Sequence, residues 1–118
     1  MVLVARDIRR RVIGVCSAYK SFVKRLNNHV YVYRTLVIPG FRRTGIAISM
    51  LQTTRDFFNA QYQNRIDTEA IGLMFILENP DLGAILKQAV WPRTGFVFLG
   101  YNNKMQQVRI SYFDKAMI

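Results

Sequence analysis

Between Val30 and Ile38 apolar positions recur with a period of two. Val30, Val32, Arg34, Leu36 and Ile38 fall on one face and Tyr31, Tyr33, Thr35 and Val37 on the other. Both faces are largely apolar, which predicts a central strand covered on both sides. Upstream, MVLVAR and VIGVCSAY read as two more strands joined by the polar turn DIRRR. KSFVKRLNNH reads as a basic loop with the turn pair Asn27-Asn28. Pro39-Gly40 ends the third strand, and from about Thr44 the period changes. Ala47, Leu51, Thr54 and Phe58 form one helical stripe with Met50 and Phe57 beside it, predicting a helix that ends near Tyr62. NRIDTEA is a connection, and IGLMFIL, Ile71 to Leu77, is an apolar run of strand length. Glu78-Asn79-Pro80-Asp81 opens a second helix, with Asn79 as N-cap and Pro80 in the first helical position. That helix, through LGAILKQAV, stops before Trp91-Pro92, and GFVFLGY, an NNK turn and MQQVRISYF close the chain as an antiparallel hairpin.

The predicted order is β-β-β-α-β-α-β-β, an α/β (α+β) arrangement. A strand–helix–strand unit of this spacing crosses over right-handed and leaves its two strands as a central parallel pair in a mixed sheet. At 118 residues the expectation is one domain, 1–118, with a single core. The apolar share of 51% argues for a folded chain. The run from Ile71 to Leu77 is too short to span a bilayer, and the N-terminus lacks the order of a secretory signal. A single cysteine, Cys16, excludes a disulfide framework, and no metal-ligand spacing is visible. These features point to a cytoplasmic protein with no membrane partner and no metal.

Charge changes the picture more. Seventeen basic residues face seven acidic ones, and residues 1–45 hold ten of the former but only Asp7 of the latter. So one-sided a field attracts polyanions: nucleic acid, an acidic protein face or a phosphate-bearing cofactor. Arg42, Arg43 and Gly45 stand where strand gives way to helix. A helix start presents unsatisfied N–H groups and the positive end of its dipole, a seat for phosphate. Gly45 lets the backbone approach, and the arginines add fork-shaped donors. An ordinary basic turn is the other reading of the same residues.

Arg42-Arg43-Thr44-Gly45-Ile46-Ala47 resembles the Arg/Gln-x-x-Gly-x-Gly/Ala signature of the GCN5-related N-acetyltransferase (GNAT) superfamily. The preceding Leu36 to Pro39 looks like that family's strand end, and ENPDLGAILK with Gly95-Phe96 is similar to its later asparagine–proline segment. The predicted element order matches as well, so the resemblance covers essentially the whole chain. It implies binding of acetyl-CoA. Backbone at Val37 and Ile38 would pair with the pantetheine arm, amides of Arg43 to Ala47 with Arg42 beside them would cradle the diphosphate, and Asn79 would face the thioester.

The family begins one strand and two helices earlier, so the resemblance also implies an open acceptor groove or a wall supplied by a second subunit, and exposed apolar surface that favours a homo-oligomer. Where many members carry a glutamate base, this chain has His29-Val30-Tyr31, and Leu86 stands where their proton-donating tyrosine falls. Candidate catalytic groups are therefore His29, with an ordinary pKa suited to proton abstraction, Tyr31 and Glu78. Each has a plainer alternative: a loop residue for His29, core packing for Tyr31 and Tyr33, a helix-start charge for Glu78. Cys16 reads as inert core, and Tyr101 and Tyr112 approach from the last hairpin with nothing to fix their geometry. The leading function is an acetyl-CoA-dependent N-acyltransferase whose amine acceptor sits on an acidic or nucleic-acid-associated partner. The alternatives are a GNAT-like scaffold without catalysis, of the kind suited to a phage or mobile element, and a nucleic-acid-binding protein using Arg9-Arg10-Arg11 with Lys20, Lys24 and Arg25.

Overall fold

A computed structural model describes residues 1–38, 40, 45–77 and 95–116. Its elements are β1 (Val2–Arg6), β2 (Val12–Val23), β3 (Asn28–Val37), α1 (Ile46–Gln63), β4 (Ala70–Leu77), β5 (Val97–Tyr101) and β6 (Gln107–Tyr112). The six strands form one sheet in the order β1-β2-β3-β4-β6-β5. β3 and β4 are parallel at its centre, and the other neighbours are antiparallel. The mixed sheet and central parallel pair are those the periodicities predict. The second predicted helix, from Asn79 to before Trp91, lies outside the described residues.

The segment from Lys20 to His29 is less of a loop than its composition suggests. β2 continues through Lys20 to Val23, and β3 starts at Asn28. The pairs Lys20↔Tyr31, Phe22↔His29 and Val23↔Asn28 extend the ladder, with Asn27 at φ 51 in the left-handed region of the short turn. Long-range contacts offset the polar composition here: the Lys20 ammonium reaches Asp67 at 2.8 Å, and the rings of Phe22 and His29 meet edge to face at 5.2 Å.

α1 lays Met50, Leu51, Thr54 and Phe58 on one sheet face, against Cys16, Ala18, Tyr31, Tyr33, Leu73 and Phe75. Ala47 and Phe57, predicted on or beside that stripe, are exposed. Gly14 sets how closely the helix start approaches the sheet, since a Cβ there would lie 3.0 Å from Met50 Cε. The opposite sheet face has its own cluster of Val30, Val32, Ile71, Met74, Val108 and Ile110, joined by Val23 and Leu26 from the β2–β3 hairpin. Gly72 lies so close to β6 that a Cβ would be 2.6 Å from the Ser111 carbonyl oxygen. Beside it the β3–β4 register shifts, taking one extra residue into β4.

Central position does not cover β3 along its whole length. Leu36 and Ile38, on the face away from α1, remain 62% and 42% exposed. The expectation of a strand buried on both sides therefore holds for Val30 to Tyr33 and fails at the C-terminal end. Among the described residues no helix is long and apolar enough to cross a membrane.

Candidate functional site

The two parallel strands part before either one ends. Their register runs from His29↔Ala70 to Tyr33↔Phe75. Beyond it β3 continues to Val37 alongside β2, and β4 continues to Leu77 alongside β6. A cleft mouth therefore opens between β3 and β4 at their C-terminal ends, the place where ligands enter open α/β sheets. Val37 pairs with Gly14 and its side chain is buried in the core, while the Ile38 N–H donates to the Ile13 carbonyl at 3.0 Å.

At the same end, Gly45 caps α1 with φ 86 and ψ −1, a left-handed conformation that suits glycine. A Cβ at Gly45 would meet nothing within 4 Å, so conformation rather than crowding calls for glycine there. The first intrahelical bond runs from the Ser49 N–H to the Gly45 carbonyl at 2.9 Å. The amides of Ile46, Ala47 and Ile48 precede it and so have no intrahelical acceptor. Among the described residues the helix start has no side-chain cap bond, and its first turn holds no acidic residue. Ala47 and Ile48 are exposed, and Ile46 packs partly against the core. An anion placed here would meet uncapped N–H groups and the positive end of an 18-residue helix.

Of the sequence-predicted cofactor residues, the structure brings Val37, Ile38, Gly45, Ile46 and Ala47 to this end of the sheet. Arg42, Arg43, Thr44, Glu78, Asn79 and Leu86 lie outside the described residues. His29 stands near the opposite end of β3, about 26 Å from Val37 at strand rise, with its ring against Phe22. Tyr31 is buried and stacks on Phe58 at 3.9 Å, and its hydroxyl donates to the Asp67 carboxylate. Burial first, and that bond second, push its phenol well above the ordinary range. Tyr33 is fully buried, edge to face with Phe75, and burial raises its phenol too. Core packing is thus the part both tyrosines play. Cys16 is buried core with its Sγ 3.7 Å from the Thr54 hydroxyl. Tyr101 pairs with Gln107, itself opposite Leu77, so it belongs to the open end; Tyr112 pairs with Gly72 toward the closed one.

Sequence reasoning missed a polar cluster at the closed end. Lys20 Nζ lies 2.8 Å from Asp67 and 3.4 Å from Glu69, and 5.9 Å from the Tyr31 ring centroid. Hydrogen bonds from Lys20 first and Tyr31 second hold the Asp67 carboxyl below its usual range. Lys20 is raised in turn, chiefly by Asp67. No spacing signals this cluster, because Lys20 and Asp67 lie far apart in sequence, in segments read as loops. The two basic groups of the nucleic-acid reading do not adjoin. Arg9 to Arg11 and the Lys24-Arg25 turn sit at opposite ends of the twelve-residue β2.

No family model and no curated protein matches the sequence. Solved structures do share its fold. A KacTA–DNA complex superposes with a TM-score of 0.61 at 14% identity, covering 98% of this chain and 67% of the other. Two forms of the spermidine N-acetyltransferase SpeG from Vibrio cholerae, a mutant and a chimera with hSSAT, give 0.54 and 0.53 at 17% and 16% identity. They cover 95% of this chain and 63% and 64% of theirs, so this chain spans about two-thirds of the length of these structures. At such identities the likeness is one of fold. Together with strand order β1-β2-β3-β4-β6-β5 and the parted parallel pair, it shows that the chain shares the mixed-sheet fold of these structures.

Proposed function

We propose that the chain is an acetyl-CoA-dependent N-acyltransferase that moves an acetyl group onto an amine. One observation carries this reading. In a GNAT fold, the mouth between β3 and β4 opens at the same sheet end as a helix start capped by left-handed Gly45, with three amides that have no intrahelical acceptor. Uncapped amides, open space over Gly45 and two preceding arginines are a donor set suited to a diphosphate.

Bound acetyl-CoA supplies an acetyl thioester, whose carbonyl the amine attacks. The residues from Arg42 through Thr44 to Ala47 would hold the diphosphate, the end of β3 at Val37 and Ile38 would run along the pantetheine arm, and Asn79 would face the thioester. Their contribution is positional: fixing donor and acceptor together turns a bimolecular aminolysis into an effectively intramolecular one. Backbone donors beside the carbonyl stabilise the negative charge that develops on its oxygen. His29 and Tyr31 belong to the other end of β3, away from this mouth, and Glu78 lies outside the described residues.

Calorimetric titration with acetyl-CoA tests the reading. The expected outcome is a micromolar dissociation constant, about −8 kcal/mol, abolished in Gly45→Glu with the helical circular dichroism retained. Failure of the unaltered chain to bind acetyl-CoA overturns it.

A further inference from the structure

Among the described residues, the sheet face away from α1 leaves several apolar side chains exposed at one corner. Leu3 and Ala5 of β1 turn toward the helix side, so Val2 and Val4 point the other way. Register carries that face across three strands: Val2, Ser17 and Arg34 form one row, and Val4, Val15 and Leu36 the next. Ile38 follows beside Ile13, and Tyr19, opposite Val32, precedes. Val2 is 69% exposed, and Val4, Tyr19, Leu36 and Ile38 are exposed as well. Scattered single apolar residues need no explanation, but the continuous Val4–Val15–Leu36 row, with Val2 and Ile38 beside it, marks an interaction surface.

The adjoining turn supplies charge of one sign. Arg6, Arg9, Arg10 and Arg11 cluster where β1 turns into β2, and all but Arg10 line a shallow depression with Ile8 and Ile13. The one acid of this half, Asp7, is taken up by the Arg11 guanidinium at 2.8 Å and by the backbone N–H groups of Arg9 and Arg11. Arg9 and Arg10 are exposed, Arg10 itself in the left-handed conformation at φ 63. A second copy of this chain would bring the same basic turn and the same basic half to the contact. Nucleic acid would match the arginines and leave the valine and leucine rows unused.

We propose that this corner docks an acidic amphipathic helix of a different protein. Three strands at about 4.8 Å spacing make a face roughly 10 Å wide, the width of one α-helix. An apolar stripe would lie along the Val2–Val4–Leu36 rows, and carboxylates along its flank would reach the arginine turn. The inference does not depend on acetyl transfer.

The probe is a synthetic helical peptide with leucines at i, i+3, i+4 and i+7 and glutamates elsewhere, read by fluorescence anisotropy. A scrambled peptide of identical composition and charge with no apolar stripe serves as control. The stripe peptide should bind at least about tenfold more tightly than the scrambled one, a gap of about 1.4 kcal/mol. Val2→Asp, at an exposed edge-strand position, should remove that gap. Arg9→Gln with Arg10→Asn should weaken both peptides and flatten the salt dependence. Equal binding of the two peptides overturns the proposal. So does tighter binding of duplex DNA or of anionic phosphatidylserine vesicles that survives Val2→Asp. Sedimentation showing a dimer that Val2→Asp dissociates overturns it in favour of a second copy.

Discussion

The two ends of the β3–β4 pair are built on opposite plans. At the closed end the ladder is intact, Tyr31 is sandwiched against Phe58, and Lys20, Asp67 and Glu69 lock β2 to the connection before β4. At the open end the register stops at Tyr33↔Phe75, Leu36 and Ile38 face solvent, and α1 begins without a side-chain cap. Parallel strands need something to hold them in register, and here the holding is concentrated at one end. The other end is left with backbone donors that have no intrahelical acceptor and with exposed apolar groups, which cost stability unless something uses them.

The contrast is tested most severely by Phe58→Ala. This ring is buried and stacks on Tyr31, so its removal should cost about 3–5 kcal/mol in urea unfolding. Leu36→Ala at the open end should change stability by less than about 0.5 kcal/mol. Comparable losses at the two sites would mean that the open end is structural after all.

Asp67 comes next. Asp67→Ala strands the Tyr31 hydroxyl, leaves the Lys20 ammonium to Glu69, and should cost about 1–3 kcal/mol at neutral pH. The loss should also carry a pH signature. The folded carboxyl titrates below its unfolded value, near 3.9. Its stabilisation is therefore present above about pH 4 and lost as pH falls through the lower folded value. The stability gap between the unaltered chain and Asp67→Asn should close in acid; hydrogen bonds from the Arg11 backbone and from Arg55 hold Asp7 and Asp114 low as well, but both proteins share these and they cancel. A gap that persists at low pH would reduce the cluster to packing alone.

These two ends were not equally legible in the sequence. Period-two alternation from Val30 onward, the Pro39-Gly40 break and the helical stripe of Met50, Leu51, Thr54 and Phe58 are local signals, and they delivered the strand, the stop and the helix. Arg42 to Ala47 is likewise a contiguous motif, so the open end was visible as a candidate before any coordinates. The closed end is assembled from Lys20, Tyr31, Asp67 and Glu69, and what joins them is the parallel crossover, which local pattern does not specify in detail. For the same reason the strand character of Lys20 to Val23 was hidden: polar residues gain a ladder and an ion pair only when β3 and the connection before β4 are in place. Leu36 misled in the other direction, because alternation reports that a strand has two apolar faces and not that both are covered.

Gly45→Ala probes the open end by conformation alone. With φ at 86 and no atom within reach of the new Cβ, the whole cost should be backbone strain of about 1 kcal/mol, and Gly45→Asn should cost less because asparagine tolerates this region. A much larger loss would mean that the cap is packed and has no room for a ligand.

The smallest effect on stability is the sharpest on function, because its sign reverses. Ala47 is exposed in a first helical turn that carries no acid. Ala47→Glu puts a carboxylate beside the positive end of the helix dipole and should stabilise the fold by about 0.3–1 kcal/mol. If the same amides are the seat of a diphosphate, that carboxylate competes for them and repels the ligand, so acetyl-CoA affinity should fall while the melting temperature rises. An ordinary helix start would gain the stability and show no change in the titration. Opposite movement of the two measurements is therefore what separates a helix end kept uncapped for an anion from one that merely lacks a cap.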